Sequence, residues 1–390
     1  MEGYVFLANS TKPTEDKYNS REDVHPSNVS RPCLKKALEM GYKVYLGINR
    51  KNPGELRCDL PVEMYDEHTY RSLFAIKDNF IAYKNLSHVM THGNIAVIHC
   101  NTPIGGLIGR ICGKRHGVKR IIYTAHGFHF YEGAPLLNQT LFKWAEQIMA
   151  HWTDAIITMN SEDFYAAKRF RLRNGGKVYL VHGVGITLSD FDGLQDLRPQ
   201  KRQSLGLSGT DIALISAGDL VARKNYETAI RAIAGCSDGR VHYYICGKGE
   251  EEQRLKRLSK ELGVENQVHF LGFRTDVTEL MTAADVFLFT TRQEGMPRSM
   301  MEAMASGLPC LASRIRGNTD LIEDGVNGFL FEPDDVQSFT AGIRLLIDNA
   351  EMRRRMSENN LKKIRDYDIS VVETEISQIY DEVLENSQKD

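Results

Sequence analysis

The segment from residue 284 to residue 310 constrains the fold of this chain more than any other part of the sequence. It begins with an apolar, β-rich run at residues 284–290, which is typical of a strand buried in the middle of a parallel sheet. Gly295 then interrupts the chain, Pro297 suits a first helical position, and helix-forming residues continue until Gly307. The pattern predicts a strand, a loop and a helix N-terminus with free amides for a phosphate, the usual ligand position in an open α/β sheet.

Two glutamates flank the start of this predicted helix. Glu294 lies in the loop and Glu302 inside the helix, so both side chains can face one polyhydroxylated ligand. Carboxylates without a metal partner accept hydrogen bonds well from sugar hydroxyls. The alternative is an ordinary strand–helix unit with a solvated glutamate at each end, and these residues alone do not decide between the two.

Strand and helix patterns alternate along the chain, which predicts parallel sheets with helices on both faces. A chain of 390 residues is too long for one ordinary core, so two domains are expected. Strands are predicted at residues 4–8, 43–47, 95–99, 120–124, 155–158 and 178–181, and then at residues 212–217, 242–246, 267–270, 286–290, 309–312 and 328–331. A helix is predicted over residues 135–151, and the polar segment 186–201 has the composition of an interdomain linker.

The composition excludes several classes of protein. A net charge of −2 argues against a general nucleic-acid binder. The seven cysteines are scattered and never spaced as CxxC, which favours a reduced compartment over a disulfide framework or a zinc site. The first residues are typical of a strand and not of a signal peptide, and no apolar stretch approaches the ~20 residues that cross a bilayer. We therefore expect a cytoplasmic protein, with peripheral attachment to the inner face of the plasma membrane left open.

Three sequence segments, in their order and separations, resemble one known family. They are EGMPRSMMEAMASGLPCLAS from residue 294, RGNTDLIEDGVNGFLFEPDD from residue 316 and IIYTAHGFHFYEGAPLLN from residue 121. The first two resemble the Glu-x7-Glu signature, and the strand and turns after it, of family 4 retaining glycosyltransferases. The third resembles the bacterial subgroup that builds capsule and exopolysaccharide repeat units. The resemblance runs from about residue 85 to the C-terminus and is weakest between residues 186 and 210.

The resemblance implies an α/β protein of the GT-B fold, with two Rossmann-like doubly wound domains facing a central cleft. Residues 1–185 would form the acceptor-binding domain, and residues 186–370 the nucleotide-sugar-binding domain. A C-terminal helix, about residues 371–390, would pack back on the first domain. The family also implies retention of anomeric configuration, and neither a metal nor another cofactor is expected.

The resemblance places the donor in the second domain. Family members bind the donor diphosphate with basic residues at the positions of Arg223 and Lys224, but Asp219 stands here where many relatives have arginine. The separate roles of the two basic residues therefore stay open, and one of them could be a solvated surface charge. Glu294 matches the glutamate near the donor sugar, and Glu302 the one that binds the ribose hydroxyls. The other predicted donor contacts are Gly218, Lys248, Gly249, Phe273, Arg274, Gly295, Met296, Pro297 and Arg298.

In the first domain, the predicted site lies in loops that follow two strands. His126 matches the family's active-site histidine, which the resemblance places beside the reacting sugar; the alternative is a histidine that caps a strand end. Asn101, Thr102, Gly105 and His129 are predicted on the acceptor side, although the glycine could simply permit close helix packing. The two histidines have no convergent carboxylate or cysteine, so they do not specify a metal site.

Two other patterns have competing interpretations. The DxD sequence at residues 190–192 is the metal–nucleotide motif of a different glycosyltransferase fold, and it is discounted because it lies in the predicted linker. The basic runs at residues 110–120 and 168–177 contain no acidic residue. They could dock on anionic lipid, at about 1 kcal/mol for each Lys or Arg near the surface, or they could be ordinary solvated helix faces.

These patterns and the resemblance together predict a retaining glycosyltransferase, with catalysis assigned to His126, Glu294, Arg223 and Lys224. It would move a hexose or N-acetylhexosamine from a nucleotide sugar, by expectation UDP-linked, to a polyprenyl-diphosphate-linked saccharide in bacterial surface polysaccharide synthesis. The expected partners are the donor, the lipid-linked acceptor and an anionic membrane surface, and no nucleic acid. A nucleotide-sugar epimerase of the same fold and a non-catalytic nucleotide-sugar-binding protein are the alternatives. The sugar, the acceptor, the linkage, the oligomeric state and the role of the loop at residues 9–32 stay open.

Overall fold

The computed structural model describes residues 1–8, 22–70 and 72–385. The chain divides into two compact units, of which the first comprises residues 1–185 and 369–390 and the second residues 186–368. Most of the N-terminal loop whose role the sequence left open, residues 9–21, lies outside the described part of the chain.

The first unit is built on a parallel sheet that has seven strands in the described residues, in the order β3-β2-β1-β4-β5-β6-β7. The strands are β1 (Gly3–Leu7), β2 (Lys43–Ile48), β3 (Glu63–Asp66), β4 (Ile95–Asn101), β5 (Arg120–Ala125), β6 (Ala155–Thr158) and β7 (Lys177–Leu180). Every residue of β1 is buried, as expected for a central strand with helices on both faces. The chain order reverses between β1 and β4, which is where ligands bind in sheets of this kind.

Helices cover both faces of this sheet. They are α1 (Arg31–Glu39), α2 (Ile76–His92), α3 (Pro103–Arg115), α4 (Lys143–Ala150) and α5 (Ser161–Ala167). Crossover connections between parallel strands are right-handed, so the steps from β3 to β4, β5 and β6 place α2, α3 and α4 on one face. The helix α1, which connects β1 to β2 in the opposite direction, lies on the other face. In agreement, α3 contacts both α2 and α4.

The second unit has the same kind of architecture. Its parallel sheet has six strands in the order β10-β9-β8-β11-β12-β13, counted over the residues that are described. The strands are β8 (Ile212–Ala217), β9 (Val241–Cys246), β10 (Val268–Gly272), β11 (Val286–Phe289), β12 (Cys310–Ser313) and β13 (Gly328–Phe331). The order reverses between β8 and β11, so the carboxyl ends of these two strands define the expected ligand position of this unit.

The helices of the second unit enclose one main apolar core. They are α6 (Arg198–Ser204), α7 (Tyr226–Cys236), α8 (Glu252–Glu261), α9 (Val277–Ala283), α10 (Arg298–Ala305), α11 (Asn318–Leu321), α12 (Val336–Asp348) and α13 (Ala350–Lys363). Ile230 of α7, Tyr243 of β9 and Phe339 of α12 are fully buried in that core. The core therefore fixes the strands from which the site loops emerge.

The last helix, α14 (Ile369–Glu385), belongs to the first unit and contacts α1. The hydroxyl of Tyr380 lies 2.5 Å from the hydroxyl of Tyr4 and 2.7 Å from Nδ1 of His99. Nδ1 of His182 lies 2.6 Å from the carboxylate of Glu375. These polar contacts join α14 to β1, to β4 and to His182, which lies near the end of residues 1–185.

The structure corrects the prediction of a linker at residues 186–201. This segment contains two 3-10 turns, Leu188–Phe191 and Leu194–Leu197, followed by α6. The guanidinium of Arg198 pairs with Asp285 at 2.6 Å, and the amide of Gln195 donates to the carbonyl of Ser306 at 2.9 Å. The segment is therefore part of the second unit, held by contacts that its polar composition does not reveal.

Three smaller predictions also differ from the structure. The helix predicted over residues 135–151 contains a π-helical segment, Asn138–Phe142, directly before α4. Pro297 is the N-cap residue of α10 and not its first helical residue. The sequence prediction missed β3, an edge strand without a fully buried residue, because it lacks the apolar run of the other strands.

Candidate functional site

The loops that follow the strands of the second unit are held together at the carboxyl edge of the sheet. The backbone N–H of Gly218 donates to the carbonyl of Cys246 at 2.9 Å, and that of Gly247 donates to Gly272 at 2.8 Å. Gly247 has φ of +156°, and a Cβ atom there would overlap the carbonyl of Gly218. Only glycine allows this approach, so the predicted glycine turn has a definite structural reason.

At the carboxyl ends of β8 and β11, where the strand order reverses, the carboxylate of Glu294 contacts two cationic side chains. Oε1 of Glu294 lies 2.7 Å from Nζ of Lys224 and 3.2 Å from Nη1 of Arg223, and it accepts a hydrogen bond from Thr291 Oγ1 at 3.0 Å. The side chains of Lys224 and Glu294 are only 11% and 12% exposed, whereas that of Arg223 is 47% exposed. The structure thus brings together three of the four residues assigned to catalysis.

The charges of this cluster sum to +1, because one carboxylate faces a lysine and an arginine. Of the three N–H donors on the Lys224 ammonium, one is directed to Glu294, which leaves two for another acceptor. The half-exposed guanidinium of Arg223 presents further donors to solvent. Such an arrangement suits an anionic group with several oxygen atoms, because charge-assisted hydrogen bonds are stronger than neutral ones.

Three residues that the sequence prediction missed support Glu294 or the adjacent Gly295. Nε of Arg316, a buried side chain, donates to the carbonyl oxygen of Glu294 at 3.0 Å. A Cβ atom on Gly317, where φ is +78°, would overlap the carbonyl oxygen of Gly295. Thr291 adds the side-chain bond to Glu294. The available signal was the Arg316–Gly317 pair after β12, because loops that follow neighbouring parallel strands meet at one edge of a sheet.

The predicted phosphate-binding helix begins one residue after Pro297. The amides of the first turn of a helix have no partner inside the helix, so α10 presents N–H groups at the carboxyl edge of the sheet. Nε of Arg298 donates to the carboxylate of Glu302 at 2.9 Å, one helical turn away. Gly295 and Met296 form the loop between Glu294 and this helix. Two of the predicted donor contacts, Arg298 and Glu302, are therefore paired with each other.

The predicted base-binding residues lie in the loops after β9 and β10. The carbonyl oxygen of Lys248 accepts a backbone bond from Leu220 at 3.0 Å, and Gly249 packs against the same residue. Arg274 forms two bonds to Asp276, at 2.8 and 2.7 Å, and this partner lowers the pKa of the Asp276 carboxyl to about 2. The Phe273 ring is 72% exposed. The ring is accessible to stack on a planar base, whereas the guanidinium of Arg274 already has a carboxylate partner.

In the first unit, the predicted histidine lies at the carboxyl edge of the sheet, beside the order reversal. Nε2 of His126 is 3.2 Å from Oδ1 of Asn101, the last residue of β4. The side-chain amide of Asn101 donates to the carbonyl of Leu7 at 3.0 Å, so its oxygen is left as the acceptor for His126. These bonds join the ends of β1, β4 and β5.

The other predicted acceptor-side residues differ in accessibility. Thr102 has φ of +58°, which is unusual for a β-branched residue, and its Oγ1 is buried without a hydrogen-bond partner in the described part of the chain. Gly105 is buried within the first turn of α3. The imidazole of His129 is exposed and stacks on the ring of Phe142, with 5.4 Å between the centroids. Of these three residues, Thr102 is therefore the one with an unusual backbone conformation and an unsatisfied buried hydroxyl.

Behind His126 lies a second histidine that the sequence prediction did not single out. Nε2 of His99 is 2.7 Å from Thr124 Oγ1, and its Nδ1 faces Tyr380. Burial, with a smaller effect of His126, lowers the pKa of His99 to about 3. His99 is therefore neutral at physiological pH and acts as a structural link between β4, β5 and α14.

Part of each basic run is paired inside the first unit. Arg110 is fully buried and makes two bonds to Glu146, at 2.8 and 3.1 Å. Arg173 pairs with Asp154, and Lys177 with Glu382. These three residues have carboxylate partners within the first unit, whereas Arg115, Lys168 and Arg169 are exposed, so docking through the two runs stays a prediction.

No helix among the described residues is both long enough and apolar enough to cross a membrane. Within the same residues, no group of three or more His, Cys, Asp or Glu side chains is arranged to hold a metal ion.

The structure thus consists of two doubly wound α/β units, and the second has a carboxylate–cation cluster at the carboxyl edge of its sheet. Residues 198–363 match the family described as "Glycosyl transferases group 1", and residues 22–160 match the family described as "Glycosyl transferase 4-like". The chain is 30% identical to the "Putative glycosyltransferase EpsD" of Bacillus subtilis over 374 residues, which cover 94% of this chain and 96% of that protein. The chain belongs to the family 4 glycosyltransferases.

A second relative agrees with this assignment, and a solved structure has the same fold. The chain is 28% identical over 273 residues to the UDP-Gal:alpha-D-GlcNAc-diphosphoundecaprenol alpha-1,3-galactosyltransferase of Escherichia coli, covering 69% of this chain and 70% of the relative. The crystal structure of Anabaena Alr3699/HepE in complex with UDP-glucose matches with a TM-score of 0.74 at 20% identity, covering 98% of this chain and 100% of the other. This likeness confirms the predicted GT-B fold, and the chain is an enzyme of the glycosyltransferase class.

Proposed function

We propose that this enzyme moves a hexose or N-acetylhexosamine, with retention of anomeric configuration, from a UDP-sugar to a polyprenyl-diphosphate-linked saccharide. The product would serve bacterial surface polysaccharide synthesis, at the cytoplasmic face of the plasma membrane. The Escherichia coli relative is named for a UDP-linked donor and a diphosphoundecaprenol-linked acceptor, and that name supports both choices.

The observation that carries the proposal is the Lys224–Glu294–Arg223 cluster at the order reversal of the second sheet. A diphosphate is an anion with many oxygen acceptors, and it would take the two remaining Lys224 donors and the exposed face of Arg223. The N–H groups at the start of α10 add to the attraction for the same anion. Phe273 offers an exposed ring for the uracil base, and the other predicted donor residues, which follow strands of the same parallel sheet, are proposed to contact the donor as well.

The chemistry follows from this assignment. The bond between the sugar's anomeric carbon and the β-phosphate oxygen breaks, and the acceptor hydroxyl oxygen forms the new glycosidic bond on the same face. The departing UDP accepts the hydroxyl proton, so no separate general base is required. Arg223 and Lys224 stabilise the negative charge that grows on the leaving diphosphate, which makes metal-independent transfer chemically reasonable. Glu294, held by Arg316 and Thr291, would orient the donor sugar.

His126 would organise the reacting ends from the first unit. Asn101 orients the ring through Nε2, and a hydroxyl of the reacting sugar is the proposed partner of the imidazole. Thr102, Gly105 and His129 are proposed on the acceptor side of the same edge.

The direct test is a transfer assay in EDTA with a panel of UDP-, GDP- and ADP-sugars and a short-chain polyprenyl-diphosphate saccharide, with product masses measured by mass spectrometry and sugar identity and anomeric configuration by NMR. The proposal expects one UDP-sugar to extend the acceptor by a single sugar with the donor's anomeric configuration retained. Lys224→Ala should lower the rate by about 100-fold, because it removes a partner of the leaving diphosphate. The matched control Lys260→Ala changes an exposed lysine of α8 and should leave the rate unchanged. Donor conversion without any acceptor, to an epimeric sugar, would refute the transferase assignment.

A further inference from the structure

Large apolar side chains are exposed at the start of α2 in the first unit. Phe74, Ile76 and Phe80 have 93%, 75% and 61% of their surface accessible. Ile76 and Phe80 are four residues apart on the helix, so they share one face. Asn79 holds the turn before the helix by donating to the carbonyl of Ser72 at 3.1 Å. This first group of apolar residues is therefore presented to solvent by a structured element.

A second group lies where the π-helical segment leads into α4. Leu136, Leu137, Leu141 and Trp144 are 80%, 62%, 51% and 60% exposed. The buried face of the same helix is fixed by Glu146, whose carboxylate pairs with the fully buried Arg110. That buried ion pair determines which side of the helix faces inward, so the four apolar residues face outward.

The topology brings the two groups to one edge of the sheet. The helices α2 and α4 lie on the same face of the first unit, and α3 contacts both of them. In a right-handed crossover the helix runs antiparallel to the strands, so helix N-termini lie at the carboxyl edge of the sheet. The two groups lie near the start of their helices, at the edge that carries Asn101 and His126. We call the two groups together the apolar rim.

Basic residues accompany the apolar rim. Lys77 and Lys84 lie on α2 and Lys143 on α4, and no acidic side chain forms an ion pair with any of the three within the described ranges. The nearby Asp78 carboxylate is 3.1 Å from Nε2 of His68 and so has its own partner. Nζ of Lys84 lies over the ring of Phe80, 5.6 Å from its centroid. Lysines that extend past exposed aliphatic and aromatic groups are typical of surfaces that contact anionic lipid headgroups.

We propose that the apolar rim inserts into the interfacial layer of an anionic bilayer and so sets the first unit's acceptor edge against the membrane. The inference rests on the proposed lipid-linked acceptor, whose polyprenyl chain stays in the bilayer while its saccharide reaches His126. The apolar rim is formed by other residues than the basic runs at residues 110–120 and 168–177. A second copy of the chain is a poorer occupant, because isologous pairing would bring two sets of lysines together.

Vesicle flotation of the full chain tests the proposal without any substrate. Wild-type protein should bind vesicles of phosphatidylglycerol and phosphatidylethanolamine more tightly than phosphatidylcholine vesicles. Leu136→Asp/Leu137→Asp should lower binding to the anionic vesicles by about tenfold or more, because it removes two insertable side chains and adds negative charge. Leu345→Asp changes an exposed leucine of α12 in the second unit and should bind like wild type. Equal binding of wild type and the double variant would overturn the proposal.

Transfer rates on a soluble and on a membrane-bound acceptor distinguish a failure of the membrane proposal from a failure of the proposed function. The double variant should act normally on a water-soluble, short-chain acceptor and should be at least about tenfold slower on a full-length acceptor in vesicles. If the wild type transfers sugar to neither acceptor, the proposed function is refuted. Vesicle flotation would still show whether the apolar rim binds lipid. A dimer in wild type that the double variant abolishes, with vesicle binding unchanged, would assign the rim to self-association and overturn the membrane proposal.

Discussion

Replacing Glu294 by glutamine separates the two tasks of the carboxylate, which are holding Lys224 and orienting the donor sugar. Glutamine keeps the shape and one acceptor oxygen but removes the charge. The Lys224 and Arg223 donors keep their charge, but without the carboxylate charge the ion-pair attraction is lost, so each bond weakens by about 1 kcal/mol. Arg223 is half exposed and its share is screened by solvent. Glu294→Gln should therefore lower the free energy of unfolding by about 1–2 kcal/mol, mainly through Lys224.

The same change raises the net charge of the cluster from +1 to +2. UDP affinity, measured by calorimetry in EDTA, should accordingly stay equal or rise by up to about fivefold, which corresponds to about 1 kcal/mol. Sugar transfer should fall by about 100-fold, because the donor sugar loses its orienting group. Glu261→Gln, an exposed glutamate of α8, is the matched control for stability and affinity. The assignment holds that the two cations bind the diphosphate and that the carboxylate does not. A tenfold weaker UDP affinity in Glu294→Gln would refute it.

Three further changes test the supporting structure. Arg316→Lys loses the Nε bond to the carbonyl of Glu294 and should lower kcat by about tenfold while the UDP dissociation constant stays unchanged; a parallel loss of UDP affinity would instead make Arg316 a direct ligand. Gly317→Ala should destabilise the protein by at least about 2 kcal/mol more than Gly325→Ala in urea unfolding, because both residues have φ of +78° but only Gly317 has a backbone carbonyl in the way; equal losses would contradict the steric argument. Burial lowers the pKa of His99 from 6.5 to about 3, so the unfolded chain binds an extra proton between these values and stability falls as pH drops from 6.5 towards 3. His99→Asn, although less stable at neutral pH, should show a shallower loss than wild type over this range, by up to about 1.4 kcal/mol per pH unit; identical slopes would show that His99 is not kept neutral.

Twelve of the thirteen strands in the described residues were predictable because their apolar runs are local and continuous. The predicted strand at residues 286–290 corresponds to β11, and the run at residues 212–217 coincides with β8. The edge strand β3 was missed because its half-exposed residues have neither an apolar run nor a clear alternation. The π-helical segment before α4 has no sequence signal of the kind that caps and breakers provide.

The meeting of Arg223, Lys224 and Glu294 was only partly predictable. Parallel topology puts their loops at one edge, but the sequence does not reveal that the carboxylate accepts bonds from both cations. The contacts that could not be predicted are those between residues far apart in the sequence. The bond from Arg316 to Glu294 was missed, and Arg110 was assigned to a basic run although Glu146, 36 positions away, holds it inside the first unit.

The central claim, that the cluster at the ends of β8 and β11 binds the donor diphosphate, is tested most directly by calorimetry of UDP and uridine in EDTA. The measurement compares wild type with Lys224→Ala and with the control Lys260→Ala. UDP should bind wild type and the control equally, and Lys224→Ala should weaken UDP by about 10- to 100-fold while uridine affinity is unchanged. Undiminished UDP binding by a folded Lys224→Ala protein would contradict the claim.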